Sequence, residues 1–419
     1  MSPTDKQAVS SENAPATDAC EFALVRTRSP IRPRSRSRSA APEPESGPIT
    51  NQGCAFERRG GEFEPGGLRA YTRDPRMLTV SWGILGCGDV CEVKSGPGFQ
   101  QAAGSRLVAV MRRQRSLAED FAHRHGVAKF HDDAEQLIRD PEVTAVYIAS
   151  PPGSHLELAL QVAAAGKPAY VEKPMARSHA ECLRMVAAFE QARTPLFVAY
   201  YRRALPRFLK VKELIDSGRL GQLRRVDVRF TSDGQARLEP ENLPWRVQAE
   251  HAGGGLFLDL ASHTLDVLDF LLGALREVSG AATRRGSAYA VEDQVTLSFV
   301  TQSGARGSGW WSFVSPAKED LITIEGSSGI LRLSTFGDSP LELETSGGSE
   351  LFTLPNPRTI HGPLIQTIVD SLLGRGACPS TGESAARTSA VMDRALAGYY
   401  GAREQEFWKH PERWPGRQV

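Results

Sequence analysis

Cysteine is scarce in this chain. The six that occur, at positions 20, 54, 87, 91, 182 and 378, are scattered and form no CxxC pair. That excludes a disulfide framework and the usual zinc spacings, and suits a reducing compartment, so no metal and a cytoplasmic location are expected. Long apolar runs are also missing. No stretch of about 18 or more uncharged apolar residues occurs, which argues against a membrane span. Charge of one sign is missing as well: 50 Lys and Arg against 49 Asp and Glu leave a formal +1. Such a balance offers no general attraction to nucleic acid or to an anionic membrane. What is there is a chain of 419 residues, 40% apolar and 24% charged. That is the profile of a soluble globular protein with room for two ordinary domain cores.

Residues 1–76 stand apart. They are rich in Pro, Ser, Arg, Glu and Gly, and "SPIRPRSRSRSAAPEPESGP" is of low complexity. So few aliphatic side chains cannot offset the entropy of ordering the segment, which reads as a disordered tail. Its few arginines could hold RNA phosphates, but a solvated tail is the simpler reading. Met77 precedes the first credible strand, so translation beginning there is a further expectation.

From Thr79 the pattern alternates. "TVSWGIL", "SRLVAVM", "TAVYIAS", "PAYVEK" and "PLFVAY" read as strands, with helical segments between them. Strands that are apolar throughout, alternating with helices, require a parallel sheet covered on both faces, here over 77–200. Over 201–405 the style changes: "LRRVDVRFTS" alternates, and "DQVTLSFVTQSGARGSGWWSFVS" reads as a hairpin turning at Ser303-Gly304. The expected fold class is therefore α/β, a doubly wound parallel sheet followed by an α+β domain with a mostly antiparallel sheet. "GGLFLDLASHTLDVLDFLLG" reads as one long helix, and 406–419 as a short tail.

The first strand delivers "GCGDVC", which places Gly86 and Gly88 before a helix whose first turn carries Asp89 and Val90. Glycines there permit a tight turn and close approach to a pyrophosphate, and the helix start offers N–H groups to it. An NAD site usually has an acidic residue at the end of the second strand. This chain has Arg112 and Arg113, which suit a 2′-phosphate, so NADP is expected, with NAD the alternative. A solvated loop would account for the same arginines. The fourth strand ends in Ser150-Pro151-Pro152-Gly153-Ser154-His155, a loop on the side of the sheet where such ligands lie. Taken alone, His155 suits a first helical turn better than a ligand role.

"AYVEKP" ends an inner strand on Glu172 and Lys173, directly before Pro174. A charged surface pair would look like this, and so would a lysine aimed into a site. Asp259 and His263, four apart on a helix, share a face. A buried aspartate can orient an imidazole that titrates near neutrality, as a proton donor should. Where nothing else points at it, such a pair is more often a structural hydrogen bond.

Glu172-Lys173-Pro174, the early glycine loop and GGG followed by Asp259-x-x-x-His263 together resemble the glucose–fructose oxidoreductase, inositol dehydrogenase and MocA family, over about residues 79–405. The resemblance implies a Rossmann domain and a second domain whose open sheet pairs in homodimers or homotetramers. It implies reversible hydride transfer between NAD(P) and a hydroxyl or ketone carbon of a sugar-like or cyclic polyol substrate. Reductases of 1,5-anhydrofructose type and dihydrodiol dehydrogenases are the nearest kin it suggests. Carried over, Lys173, Asp259 and His263 surround the reacting carbon, with Lys173 stabilising oxygen charge and His263 delivering the proton. Glu172 and Lys173 also face the cofactor on this reading. Tyr201, Arg202, Trp245 and Arg246 are weaker candidates for holding substrate. A glycoside hydrolase with bound NAD and a non-catalytic nucleotide sensor are the alternatives.

Overall fold

The computed structural model describes residues 78–233, 238–403 and 406–417. The expectations about the N-terminal tail and Met77 lie outside them. A parallel sheet comes first, built from β1 (Val80–Leu85), β2 (Ser105–Met111), β3 (Lys129–His131), β4 (Ala145–Ile148), β5 (Ala169–Val171) and β6 (Leu196–Val198). Its order is β3-β2-β1-β4-β5-β6, so the chain reverses direction between β1 and β4. Both faces are covered, and successive residues of one strand enter two different cores. Val80, Trp82 and Ile84 join one cluster, and Leu85, Val146 and Ile148 the other. That double burial is why these strands are apolar without alternation.

The covering helices are α1 (Asp89–Val93), α2 (Gly96–Gln101), α3 (Arg115–His125), α4 (Ala134–Arg139), α5 (His155–Ala164) and α6 (His179–Ala192). Their ends follow local chemistry. Asp133 accepts from Gln136 N to start α4, Ser178 accepts from Glu181 N to start α6, and α3 stops on Gly126 in left-handed conformation.

After α7 (Pro206–Asp216) comes the second sheet, formed by β7 (Leu223–Thr231), β8 (Arg276–Thr283), β9 (Gln294–Val300), β10 (Arg306–Ser312), β11 (Glu319–Gly326), β12 (Gly329–Leu333), β13 (Leu341–Thr345) and β14 (Gly348–Phe352). Its order is β14-β13-β12-β11-β7-β10-β9-β8, antiparallel except where β7 and β10 run parallel. The expected hairpin is present, with Val300 opposite Arg306, and β11 and β12 form a second, with Ile322 opposite Leu333. Val226, Val228 and Phe230 point into the core, while Asp227 and Arg229 between them are half-exposed and exposed, as period-two patterning requires.

Two differences from the sequence reading concern the site. The stretch before Gly273 is helical without a break over 256–272, as expected, but opens with a π-helical turn at Phe257–Ala261 before α9 (Ser262–Leu272), and a separate short α8 (Ala249–Ala252) and a glycine turn precede it. The last helices, α10 (Gly362–Leu372) and α11 (Gly382–Tyr400), return to the first sheet: α10 packs on α2 and α11 on α6. Nor is the C-terminal segment a free tail. Trp414 is buried against Tyr400, with ring centroids 4.7 Å apart.

Candidate active site

The carboxyl ends of the parallel strands, at the reversal between β1 and β4, converge on one region. Gly86 leaves β1 with φ +91°, a left-handed conformation that disfavours a side chain. A Cβ on it would press on the backbone of Ala149 and Ser150 at 3.1–3.3 Å, so the residue lets the ends of β1 and β4 close together. Gly88 differs. Its missing Cβ faces open space, the nearest atom being 4.0 Å away, directly before the unpaired N–H groups of Asp89 and Val90 that start α1. That opening fits a diphosphate. Cys91, in the third position of the motif, is fully buried, so the loop accommodates its sulfur without exposing it. Arg112 follows the end of β2 half-buried and Arg113 exposed, neither with a side-chain hydrogen bond or ion pair among the described residues.

His155 does not face this opening. It is fully buried, with Nε2 2.6 Å from the Ser150 carbonyl and Nδ1 3.2 Å from those of Pro174 and Met175. It ties the loop after β4 to the loop after β5, which corrects its assignment as a cofactor residue. Ser150, Pro151 and Pro152 remain on the rim, Ser150 half-buried and Pro151 exposed.

The two charges at the end of β5 point different ways. Glu172 turns inward, where it accepts from the Tyr147 hydroxyl and from the Lys173 backbone N–H and lies 3.8 Å from His361 Nδ1. Burial raises its carboxyl, against the opposing effects of Tyr147 and Lys173. It therefore supports the site from beneath, a position different from the cofactor contact expected of it. Lys173 points out of the strand. Its Nζ lies 2.7 Å from Asp259 Oδ1 and 3.0 Å from the Asp259 carbonyl oxygen. The Lys173–Pro174 bond is cis.

Asp259 sits in the π-helical turn, a local widening that often marks a functional position. Its second oxygen is 3.2 Å from Arg246 Nε, and Arg246 stacks over Trp245 at 4.5 Å. Burial works to raise the carboxyl, but Lys173 and Arg246 outweigh it and hold the group below its ordinary value. Thus Arg246 meets Asp259 directly, and Trp245 lies against Arg246. The glycine run does not line the opening. Cβ atoms on Gly253 and Gly255 would strike Arg177 and Glu292 at 2.5 and 2.4 Å. Gly255 N also donates to both carboxylate oxygens of Glu292, at 3.0 Å each. The run lets the chain pack tightly behind the π turn.

The expected hydrogen bond from Asp259 to His263 is not formed, because Asp259 is engaged by cations and the helical register changes between the two residues. His263 is buried, with Nδ1 lacking a hydrogen-bond partner, and its ring meets Tyr200, Tyr201 and Phe336 edge-on at 6.1, 5.4 and 5.8 Å. Burial, then the charges of Arg202, Lys173 and Lys94, hold it well below the usual histidine range. It is a neutral ring at neutral pH, unlike the half-protonated donor the sequence suggested.

His361 was not among the sequence candidates. It stands at the N-cap of α10, buried, with its ring 4.4 Å from that of Tyr201 and Nδ1 3.2 Å from the Tyr170 hydroxyl. Burial and the charges of Lys94, Lys173 and Arg202 push it down to about 3. A lone histidine before Gly-Pro carries no signal in sequence; only folding brings it to Glu172. Arg203, beside Arg202, belongs to the framework, paired with Asp266 and Asp269 at 2.8 and 2.9 Å. Among the described residues no group of His, Cys, Asp and Glu could hold a metal ion, and no helix is long and apolar enough to cross a membrane.

Residues 80–200 match the oxidoreductase family with NAD-binding Rossmann fold, and 208–332 match the GFO/IDH/MocA C-terminal domain. The chain is 36% identical over 315 residues to Oxidoreductase P35 of Formosa agariphila, covering 75% of this chain and 97% of that one. It is 28% identical over 282 residues to trans-1,2-dihydrobenzene-1,2-diol dehydrogenase of Bos taurus, covering 66% and 81%. Among solved structures, a levoglucosan dehydrogenase in complex with NADH and levoglucosan superposes with a TM-score of 0.67 at 22% identity, covering 76% of this chain and 97% of that one. With both halves matched and the glycine loop, Lys173 and Asp259 gathered at one sheet edge, the chain belongs to the GFO/IDH/MocA family of oxidoreductases.

Proposed function

We propose that this protein is an NADP-dependent oxidoreductase that exchanges hydride between nicotinamide and a ketone or hydroxyl carbon of a sugar-like or cyclic polyol substrate. The observation that carries this reading is the Lys173 ammonium, directed out of β5 and held 2.7 Å from Asp259 beside the buried His263. Gly88 and the first N–H groups of α1 would hold the diphosphate, and Arg112 and Arg113 the 2′-phosphate, which guanidinium groups bind bidentately. When bound, the nicotinamide supplies the hydride.

The protein's own part is charge and position. A carbonyl oxygen gains negative charge during reduction, and Lys173, already oriented by Asp259, stabilises that charge and passes it a proton. Neutral His263 donates a hydrogen bond to the same oxygen, and in the oxidation direction the hydroxyl proton returns to Lys173, the group that delivers it in reduction. This exchanges the roles expected from sequence, because a ring held neutral has no spare proton to deliver. Trp245 offers a flat face to a sugar ring, and Arg246 and Arg202 offer donors to its oxygens. The exposed face of the second sheet, with Arg225, Arg229 and Trp310, is the surface on which we place pairing between copies, and the cytoplasm is the location we assign.

Fluorescence titration of the purified chain with NADPH and NADH tests the nucleotide half. Tighter NADPH binding is expected, followed by turnover on a panel of ketoses, osuloses and cyclic polyols. Failure to bind either nucleotide would remove the proposal, and nucleotide retained through purification would favour the hydrolase reading.

A further inference from the structure

Arg202 is 4% exposed, yet among the described residues no carboxylate lies within ion-pairing distance of it. Its Nε donates to the Thr335 carbonyl at 2.8 Å, while Nη1 has no hydrogen-bond partner. Arg207, also buried and without a carboxylate partner among those residues, gives its guanidinium to oxygens of Gly337, Ser334 and Ser339, leaving only Nε unpartnered, and the other neighbouring cations are paired. Arg203 has two aspartates, and Lys173 and Arg246 share Asp259. Removing a guanidinium from water without a counter-ion is costly, and ring faces and one carbonyl offset only part of that cost.

The position of Arg202 indicates what would complete it. Its guanidinium lies over Tyr201 at 4.9 Å and Phe336 at 4.5 Å, and His263 meets those same two rings at 5.4 and 5.8 Å. Arg202 and the candidate catalytic histidine therefore flank one aromatic wall. Little negative charge is left over around it: two cations share the Asp259 carboxylate, Glu172 is turned away beneath β5, and Asp320 is taken up by the backbone N–H groups of Thr335, Phe336 and Gly337.

We propose that the substrate carries a carboxylate, as a uronate or other acidic sugar does, and that Arg202 binds it through its free Nη1 edge while the reacting carbon lies at Lys173. This deepens the oxidoreductase reading of the same site and rests on it. A planar guanidinium accepts a carboxylate in two parallel hydrogen bonds, which fixes orientation as well as affinity. The site would thus choose acidic sugars over neutral ones of the same size, because a neutral sugar leaves the buried charge unanswered.

The test uses the full chain, titrated with D-glucuronate, D-glucose and D-glucose 6-phosphate, with binding read as a shift in thermal midpoint both with and without NADPH. Glucuronate should bind at least ~10-fold more tightly than either of the others, as one charge-assisted hydrogen-bonded pair requires. Arg202→Gln should collapse the glucuronate-to-glucose ratio toward one, and Arg202→Lys, which keeps the charge, should retain part of it. Equal binding of glucuronate and glucose by the wild type overturns the proposal, whether or not the variants fold. So does an equal loss for both sugars in Arg202→Gln, and a preference for the phosphate would overturn the carboxylate assignment. A chain that prefers glucuronate but binds no NADPH would retain Arg202 as a carboxylate site and remove the oxidoreductase reading instead.

Discussion

Lys173 Nζ contacts Asp259 twice, at 2.7 Å to the side-chain Oδ1 and at 3.0 Å to the backbone oxygen. The lysine comes from the parallel sheet and the aspartate from the π turn 86 positions later, so the contact locks the two halves of the site together. One residue thus sets both the charge and its direction. Lys173→Ala should lower kcat by roughly 10²–10³, the usual cost of losing one preorganised electrostatic group. NADPH binding should remain. Wild-type turnover in that variant would remove Lys173 from the chemistry.

Arg112 and Arg113 have no side-chain partner among the described residues, so they are available to a phosphate. Replacing both with Ala should weaken NADPH by about 10–100-fold, the effect of losing charge-assisted hydrogen bonds, and NADH by under about 3-fold. Equal effects on the two nucleotides, measured by fluorescence titration, would make both arginines surface residues.

His361 gives the fold a dependence on pH. Its folded value is depressed to about 3, against an ordinary value of 6.5. The unfolded chain therefore binds more protons between those limits, and the contribution of His361, complete above about pH 6.5, is lost as pH falls toward 3. A single such group gives a slope of up to ~1.4 kcal/mol per pH unit. His361→Gln should flatten the fall in thermal midpoint between pH 6 and pH 4. An unchanged slope would assign the acid sensitivity to other groups.

Arg203 is adjacent to Arg202 and does a different job. It holds Asp266 and Asp269 in the core. Arg203→Met should cost about 3–5 kcal/mol of stability by stranding a buried carboxylate. Denaturant unfolding measures this, and a loss under about 1 kcal/mol would show that the aspartates find other partners.

The parallel sheet was legible because double burial forces its strands to be apolar from end to end, and Gly86 because a tight turn there tolerates little else. Strands β8, β13 and β14 were not read. In β8 Arg276, Glu277 and Ser279 are exposed and the alternation is weak, while β13 alternates but over only five residues, Leu341–Thr345, too short a run to stand out. The π turn was invisible because its residues, Phe257 to Ala261, have the composition of an ordinary helix. That hidden widening misdirected the Asp259–His263 pairing. His155 misled for the opposite reason: its place beside the loop was read correctly, but only the folded chain shows both ring nitrogens occupied by carbonyls.

The return of the C-terminal helices to the first sheet bears on how the protein is made. Strand β6 lies at the sheet's edge, and what covers it is the segment before α11: Ser380 donates to the Val198 carbonyl across 182 positions, and Thr381 bridges Phe197. On a ribosome adding ~5–20 residues per second, those residues emerge roughly 10–40 s after the strand they protect. Through that interval the nascent chain carries a bare apolar edge, open to pairing with any other strand. Nascent chains of this protein should therefore recruit holding chaperones until α11 has been synthesised, and truncations that stop short of it should aggregate even though the whole parallel sheet is present.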